Sequence, residues 1–214
     1  GDVYKRQGLN EFNEKSINDK EILKLANDKK FISSNKIRAS SLEGYLFPDT
    51  YFFFAGDTPS SILKHLVSEY KKFWKSAFRD RARKLKLSEN EIVTLASIIE
   101  GEAIYDSERP IISAVYHNRL RIGMKLQADP TIIYGLMPDF NGDITKANIL
   151  DKNNPYNTYQ IAALPPTPIS TISQSSLEAV ILGMKNDYLY FVAKGDGTHK
   201  FSKTYKEHLE AVKK

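Results

Sequence analysis

A chain of 214 residues without a cysteine suits one medium domain, or a domain with part of another, and excludes disulfide and thiol chemistry. Hydrophobic residues make up 41% and charged residues 27%, which excludes a disordered polyelectrolyte, and no stretch approaches the roughly 20 apolar residues that cross a bilayer. The formal charge of +5 is compatible with an anionic polymer or a membrane surface and identifies neither.

The opening "GDVYKRQ" reads as a scar from a sequencing adapter, so residues 1–7 carry no fold information, and an upstream membrane segment would have been cut away with the rest of the gene. Residues 8–38 are polar, rich in Lys and Asn, with one helical pattern in "SINDKEILKLANDKKF"; they read as the tail of a preceding small module. Residues 39–214 then form the main domain. It opens with "SSLEGYLFPDTYFFFAGDTP", aromatic and turn-rich, which predicts short strands and a loop. Thr58 caps a helix with Pro59 at its first position, and Leu63, Leu66, Tyr70, Phe73 and Ala77 recur at helical spacing. Ser88 and Glu91 form a capping box for the next helix. A third starts at Ser107, carries Pro110 in its first turn and stops at Gly123. From 124 to 170 the pattern is irregular, and so long a loop in a compact domain is often functional. Helix returns at 173–185, "YLYFVAKGDGTHKFS" predicts a hairpin turning at Asp196-Gly197, and an amphipathic helix closes the chain. The fold class is α+β, mostly helical, with short strands and a C-terminal β-hairpin.

One stretch carries chemistry. In "TLASIIEGEA", Ile92, Leu95 and Ile99 form the core stripe of a helix, and Glu100 shares a face with Val93, Ala96 and Ser97 at the edge of that stripe. A carboxyl partly buried among such neighbours has its pKa raised, as a general acid near neutral pH requires. Periodicity alone leaves a second reading open: a helix-terminal Glu reaching water, with Gly101 ending the helix. Glu102 lies about 200° round the helix from Glu100 and is expected to support structure or face solvent. The four histidines show no metal-ligand spacing, and there is neither a G-x-S-x-G elbow nor a phosphate-binding glycine loop. "KKFWKSAFRDRARKLK" holds eight basic residues against one acid, which invites nucleic acid; its apolar residues fit a helix core stripe, so a solvated helical face is the better reading and no nucleic-acid partner is expected.

The blocks "LEGYLFPDTYFF", "TLASIIEGEA", "SERPIISAVYHNRLRIGMKLQADPTIIYGL", "NPYNTYQIAALPPTPIS" and "YLYFVAKGDGTHKFS" occur in that order. Over roughly residues 40–205 the chain strongly resembles the YceG-like endolytic murein transglycosylase (MltG) family. The resemblance implies a catalytic domain on the extracytoplasmic side of the bacterial inner membrane, anchored by one N-terminal helix upstream of this sequence. It implies a small LysM-like module before that domain, of which residues 8–38 are the end. The substrate would be the glycan strand of peptidoglycan, cleaved to a 1,6-anhydromuramic end near the cell-wall synthesis machinery, with no cofactor and no metal. The family's catalytic glutamate falls on Glu100.

Other candidates are weaker. Asn118 shares a face with Ile111, Val115 and Ile122, and either makes a structural hydrogen bond or orients Glu100 or a sugar acetamido group. Gln127 and Asp129 in "LQADPT" are substrate-lining candidates, although Asp129 could instead cap a helix after Pro130. Tyr156, Asn157 and Tyr159 suit sugar stacking and acetamido recognition, or packing. Glu43 is a second acidic partner that raises the pKa of Glu100, a substrate ligand, or half of a structural salt bridge. A hydrolase with Asp129 or Glu43 activating water, and a non-catalytic peptidoglycan-binding module, are the competing functions.

Overall fold

The computed structural model describes residues 19–54, 56–74 and 76–213; the supposed scar and residues 8–18 of the expected module lie outside the described residues. The single helical pattern near the start divides into α1 (Asp19–Ala26) and α2 (Lys29–Ser34), because Asp28 turns its carboxylate onto the Phe31 N–H at 2.7 Å and caps a new helix. The aromatic segment after it forms turns and extended chain but no strand, which corrects the expectation of strands there. Its side chains do alternate, with Tyr51 and Phe53 turned onto His65 while Phe52 and Phe54 are exposed, yet among the described residues no second strand lies beside it to complete a ladder.

Helix α3 (Pro59–Phe73) begins as its sequence dictates, with Thr58 Oγ1 accepting from the Ser61 N–H at 3.2 Å. Leu63, Leu66, Tyr70 and Phe73 are buried, but the helix stops at Trp74, and a separate helix, α4 (Ser76–Leu85), follows. Helix α5 (Glu89–Glu102) has the predicted capping box of Ser88 and Glu91. Residues Ile92 to Ile99 of α5 are buried without interruption, so the helix is enclosed on all sides rather than along one stripe. A 3₁₀ turn (Asp106–Glu108) leads into α6 (Arg109–Arg121), which ends before Gly123 at φ +68°, a conformation glycine adopts without cost.

The long region from 124 is not structureless. It contains α7 (Asp129–Leu136), opened by Pro130, and α8 (Lys146–Leu150), capped reciprocally by Thr145 and Asn148. Ser173 caps α9 (Gln174–Leu182), which packs across both α5 and α6. Strands β1 (Tyr190–Ala193) and β2 (His199–Ser202) form the predicted antiparallel hairpin, with Phe191 opposite Phe201, and α10 (Tyr205–Val212) packs on it. The result is α+β and mostly helical. Among the described residues no helix is long and apolar enough to cross a membrane.

Two close approaches fix what surrounds α5. Gly44 has φ +81°, and a Cβ there would meet Val93 Cγ1 at 2.7 Å and Pro168 at 2.8 Å. Ser97 Oγ accepts from the Ile169 N–H at 2.9 Å, tying the 168–170 segment to the middle of the helix.

Candidate active site

The last turn of α5 carries both acids of the "EGE" triplet. The helix does not stop at Gly101; it continues to Glu102, with Ala103 as its cap. Gly101 has a different use: a Cβ there would lie 3.0 Å from Pro130 Cβ, so the missing side chain lets the first turn of α7 approach the end of α5.

Glu100 is a clamp. Its Oε2 lies 3.0 Å from Arg109 Nη1 and accepts from the Ser173 N–H at 2.9 Å and the Ser173 hydroxyl at 2.6 Å, while Oε1 accepts from Arg109 Nη2 at 3.3 Å. Arg109 is buried; its Nε donates to Asp106 at 2.6 Å and its Nη1 to the Ser176 hydroxyl. Ser173 Oγ also accepts from the Ser176 N–H at 3.2 Å, so one hydroxyl caps α9 and holds Glu100 at once. This set of donors joins the end of α5 to the starts of α6 and α9. It is not the apolar edge that the spacing suggested, because helices distant in sequence bring a guanidinium and a helix cap to that edge.

Glu102 meets the opposite environment. It is half-buried and joins no ion pair among the described residues; its Oε1 accepts from the Tyr116 hydroxyl at 2.8 Å, and Tyr116 is wholly buried. Burial pushes the Glu102 carboxyl from its ordinary 4.5 up to about 7; Tyr116 opposes the shift, the negative charge of Asp129 adds to it, and His199 and Arg119 draw it back. Each neighbour is itself fixed. Asp129 accepts from the Tyr159 hydroxyl at 2.7 Å. Arg119 donates from Nε to the Leu189 carbonyl at 2.7 Å and stands over the Tyr190 ring. His199 gives its backbone N–H to Glu108 at 2.9 Å and pairs through Nδ1 with the same carboxylate at 2.8 Å. Burial and the hydrogen bond to Asp129 also push the Tyr159 hydroxyl up, so it remains a donor at neutral pH.

The other predicted residues separate into two groups. Asp129, Tyr159 and exposed Gln127 lie at the α7 entrance, Gln127 in the left-handed region at φ +51° with its N–H on the Thr158 carbonyl at 3.1 Å. Asp129 is the first residue of α7 and makes no side-chain cap. Tyr156 packs on Tyr134 at 4.8 Å between ring centres and shares a 2.7 Å hydrogen bond with Thr167. Asn157 is fully buried, and its amide donates to the carbonyls of Asn148, Ile149 and Asp151 at 3.0, 3.1 and 2.7 Å. That side chain holds the loop together and has no donor left for a sugar. Asn118 donates to the Asn186 and Tyr188 carbonyls at 2.9 and 3.0 Å, which is the structural alternative. Burial raises the Glu43 carboxyl, whose Oε1 has no hydrogen-bond partner among the described residues, and its charge bears on Tyr134.

Tyr116, Arg109, Ser173, Glu108 and His199 were not singled out in the sequence. A signal for Glu102 was present. Its positions three, four and seven residues back are Ile99, Ile98 and Leu95, so it extends the core stripe itself.

The profile of the YceG-like family matches residues 5–214. The chain belongs to the YceG-like family. Among its relatives is a protein of Bacillus subtilis (strain 168) named endolytic murein transglycosylase, 39% identical over 181 residues, which are 84% of this chain and 49% of that protein. A protein of the same name from Streptococcus pneumoniae serotype 2 (strain D39) is 34% identical over 156 residues, 71% of this chain and 28% of its own length. The chain thus spans about half the length of the Bacillus relative and less of the Streptococcus one. The YceG-like architecture also matches the crystal structure of a YceG-like protein from Listeria monocytogenes with a TM-score of 0.78 at 34% identity, covering 91% of this chain and 67% of that one.

Proposed function

We propose that this chain is the catalytic part of an endolytic lytic transglycosylase acting on the glycan strands of peptidoglycan, with Glu102 rather than Glu100 as its acid and base. The observation that carries the reading is the Glu102 carboxyl, raised to about 7 by burial and held by Tyr116 beside Asp129 and Tyr159. The names of the Bacillus and Streptococcus relatives support the substrate class.

In the proposed reaction protonated Glu102 gives its proton to the glycosidic oxygen as the bond from C1 of N-acetylmuramic acid breaks. With Oε1 occupied by Tyr116, Oε2 carries that proton. The carboxylate then takes the proton of the C6 hydroxyl of the same sugar while that oxygen attacks C1. The product is a 1,6-anhydro end, no water is consumed, and Glu102 is protonated again for the next cycle. An internal nucleophile already held by the sugar ring needs no second carboxylate as base, which is where this chemistry departs from ordinary glycoside hydrolysis. Asp129 has two effects in this scheme: its charge adds to the burial that keeps Glu102 protonated, and it would stabilise positive charge developing at C1. Glu100 and Arg109 hold the turn on which Glu102 sits. The substrate lies outside the cytoplasmic membrane, so the domain acts there, and release of nascent strands beside the synthesis machinery would follow from internal cleavage.

The test is mass spectrometry of the products from purified peptidoglycan. Ends lighter by one water than hydrolytic ends are expected from the parent chain. Reducing ends would move the reaction to hydrolysis, with Asp129 as the second carboxylate.

A further inference from the structure

On the opposite face of α6 from Tyr116 lies a second cavity, of about 850 Å³. At about 100° per residue, Ala114, His117, Asn118 and Arg121 share one face of that helix, while Tyr116 and Arg119 point to the Glu102 side. The cavity is bounded by α4, by the end of α9 and by the 183–187 loop, so it has no wall in common with the α7 entrance.

Its chemistry is one-sided. Arg81, Lys84, Arg121 and Lys185 line it, and among the described residues none of the four meets a carboxylate within ion-pair distance. Asp187, the one acid in the lining, is paired with Lys203 at 3.2 Å. Arg81 and Arg121 are already aimed by hydrogen bonds, to the Leu182 carbonyl at 3.1 Å and the Asn118 side-chain oxygen at 3.2 Å. Asn186 is fixed beside them, its Oδ1 accepting from the Tyr188 N–H at 3.0 Å. The floor is apolar, made by Leu85, Val180, Ile181 and Leu182.

We propose that this cavity binds an organic phosphate: an anionic head among the four cations and an apolar part on the floor. Its size exceeds that of a bare ion and falls within the roughly 300–1,000 Å³ of small-molecule sites. The site is independent of the Glu102 chemistry, and its failure would leave that reading untouched.

Titration of the isotopically labelled 214-residue chain with hexyl phosphate, followed by two-dimensional amide NMR, tests it. Saturable shifts are expected at residues 183–187 and at the Asn118 and Asn186 side-chain amides, with Tyr116 unmoved. Inorganic phosphate and hexanol, each carrying half the chemistry, should bind at least tenfold more weakly. An R121Q/K185Q variant, changed at two exposed positions, should lose at least tenfold affinity with an otherwise unaltered spectrum; K84Q, on a different helix, should lose part of it. Co-sedimentation with phosphatidylglycerol vesicles but not phosphatidylcholine vesicles would assign the phosphate to a lipid headgroup, and hexyl phosphate binding without co-sedimentation would assign it to a soluble ligand. Hexanol binding as tightly as hexyl phosphate, unchanged affinity in R121Q/K185Q, or no saturable shift would each overturn the proposal.

Discussion

Glu100 and Glu102 differ in which donors reach them. Glu100 meets a guanidinium, a hydroxyl and a backbone N–H; Glu102 meets one tyrosine hydroxyl and a nearby negative charge. Removing the charge of Glu100 by Glu100→Gln leaves buried Arg109 short of a partner, which should cost about 1–3 kcal/mol of stability in a urea melt. Glu102→Gln removes the proton carrier while keeping an acceptor for Tyr116, so activity should fall by orders of magnitude with little change in a melt at pH 4, where the parent carboxyl is protonated. The pH dependence has a definite sign. The folded pKa of about 7 lies above the ordinary 4.5, so between them the folded chain holds a proton that the unfolded chain releases. The stability this group contributes is complete below about 4.5 and is lost as pH rises through about 7. Unfolding midpoints measured from pH 4 to 8 should therefore decline more steeply for the parent than for Glu102→Gln. The rate of cleavage should fall over the same upper range, as the acid form disappears. A parent and variant with parallel stability profiles would remove Glu102 from this role.

At the scale of elements, local chemistry was readable and long-range partners were not. Capping by Thr58, the Ser88 and Glu91 box, the stop before Gly123 and the hairpin at Asp196-Gly197 all lie within a few residues of their cause. The aromatic, turn-rich stretch 40–59 predicts short strands, but a strand needs a partner that no local pattern supplies. Glu100 was given an apolar edge because Ser173, 73 residues away, cannot be placed from spacing. Asn157 looked like a sugar ligand for the same reason: its three carbonyl partners are a property of how α8 and the following loop fold back. Replacing it by alanine should cost about 2–3 kcal/mol and speed amide exchange across 148–160, since three carbonyls lose their donor together. Fast exchange there already in the parent would contradict this. In α5, Leu95→Ala opens a void where neighbours close from every side and should cost about 2–5 kcal/mol in the same melts.

For the whole molecule, α5 is the hub that α6, α7 and α9 surround, and its last turn presents one acid to a structural clamp and the next to the α7 entrance. Family membership and fold class were legible because five sequence blocks recur in order; how Glu100 and Glu102 are partnered, on which the proposed assignment of the chemistry to Glu102 rests, was not, because it depends on helices that meet only in the folded chain. Side-by-side product analysis on purified peptidoglycan, with the parent, Glu102→Gln and Glu100→Gln, tests that assignment most directly. Anhydro ends from the parent and from folded Glu100→Gln, with none from Glu102→Gln, are the predicted result. Anhydro ends from Glu102→Gln, with none from a Glu100→Gln chain that remains folded, would return the acid to Glu100 and contradict the account.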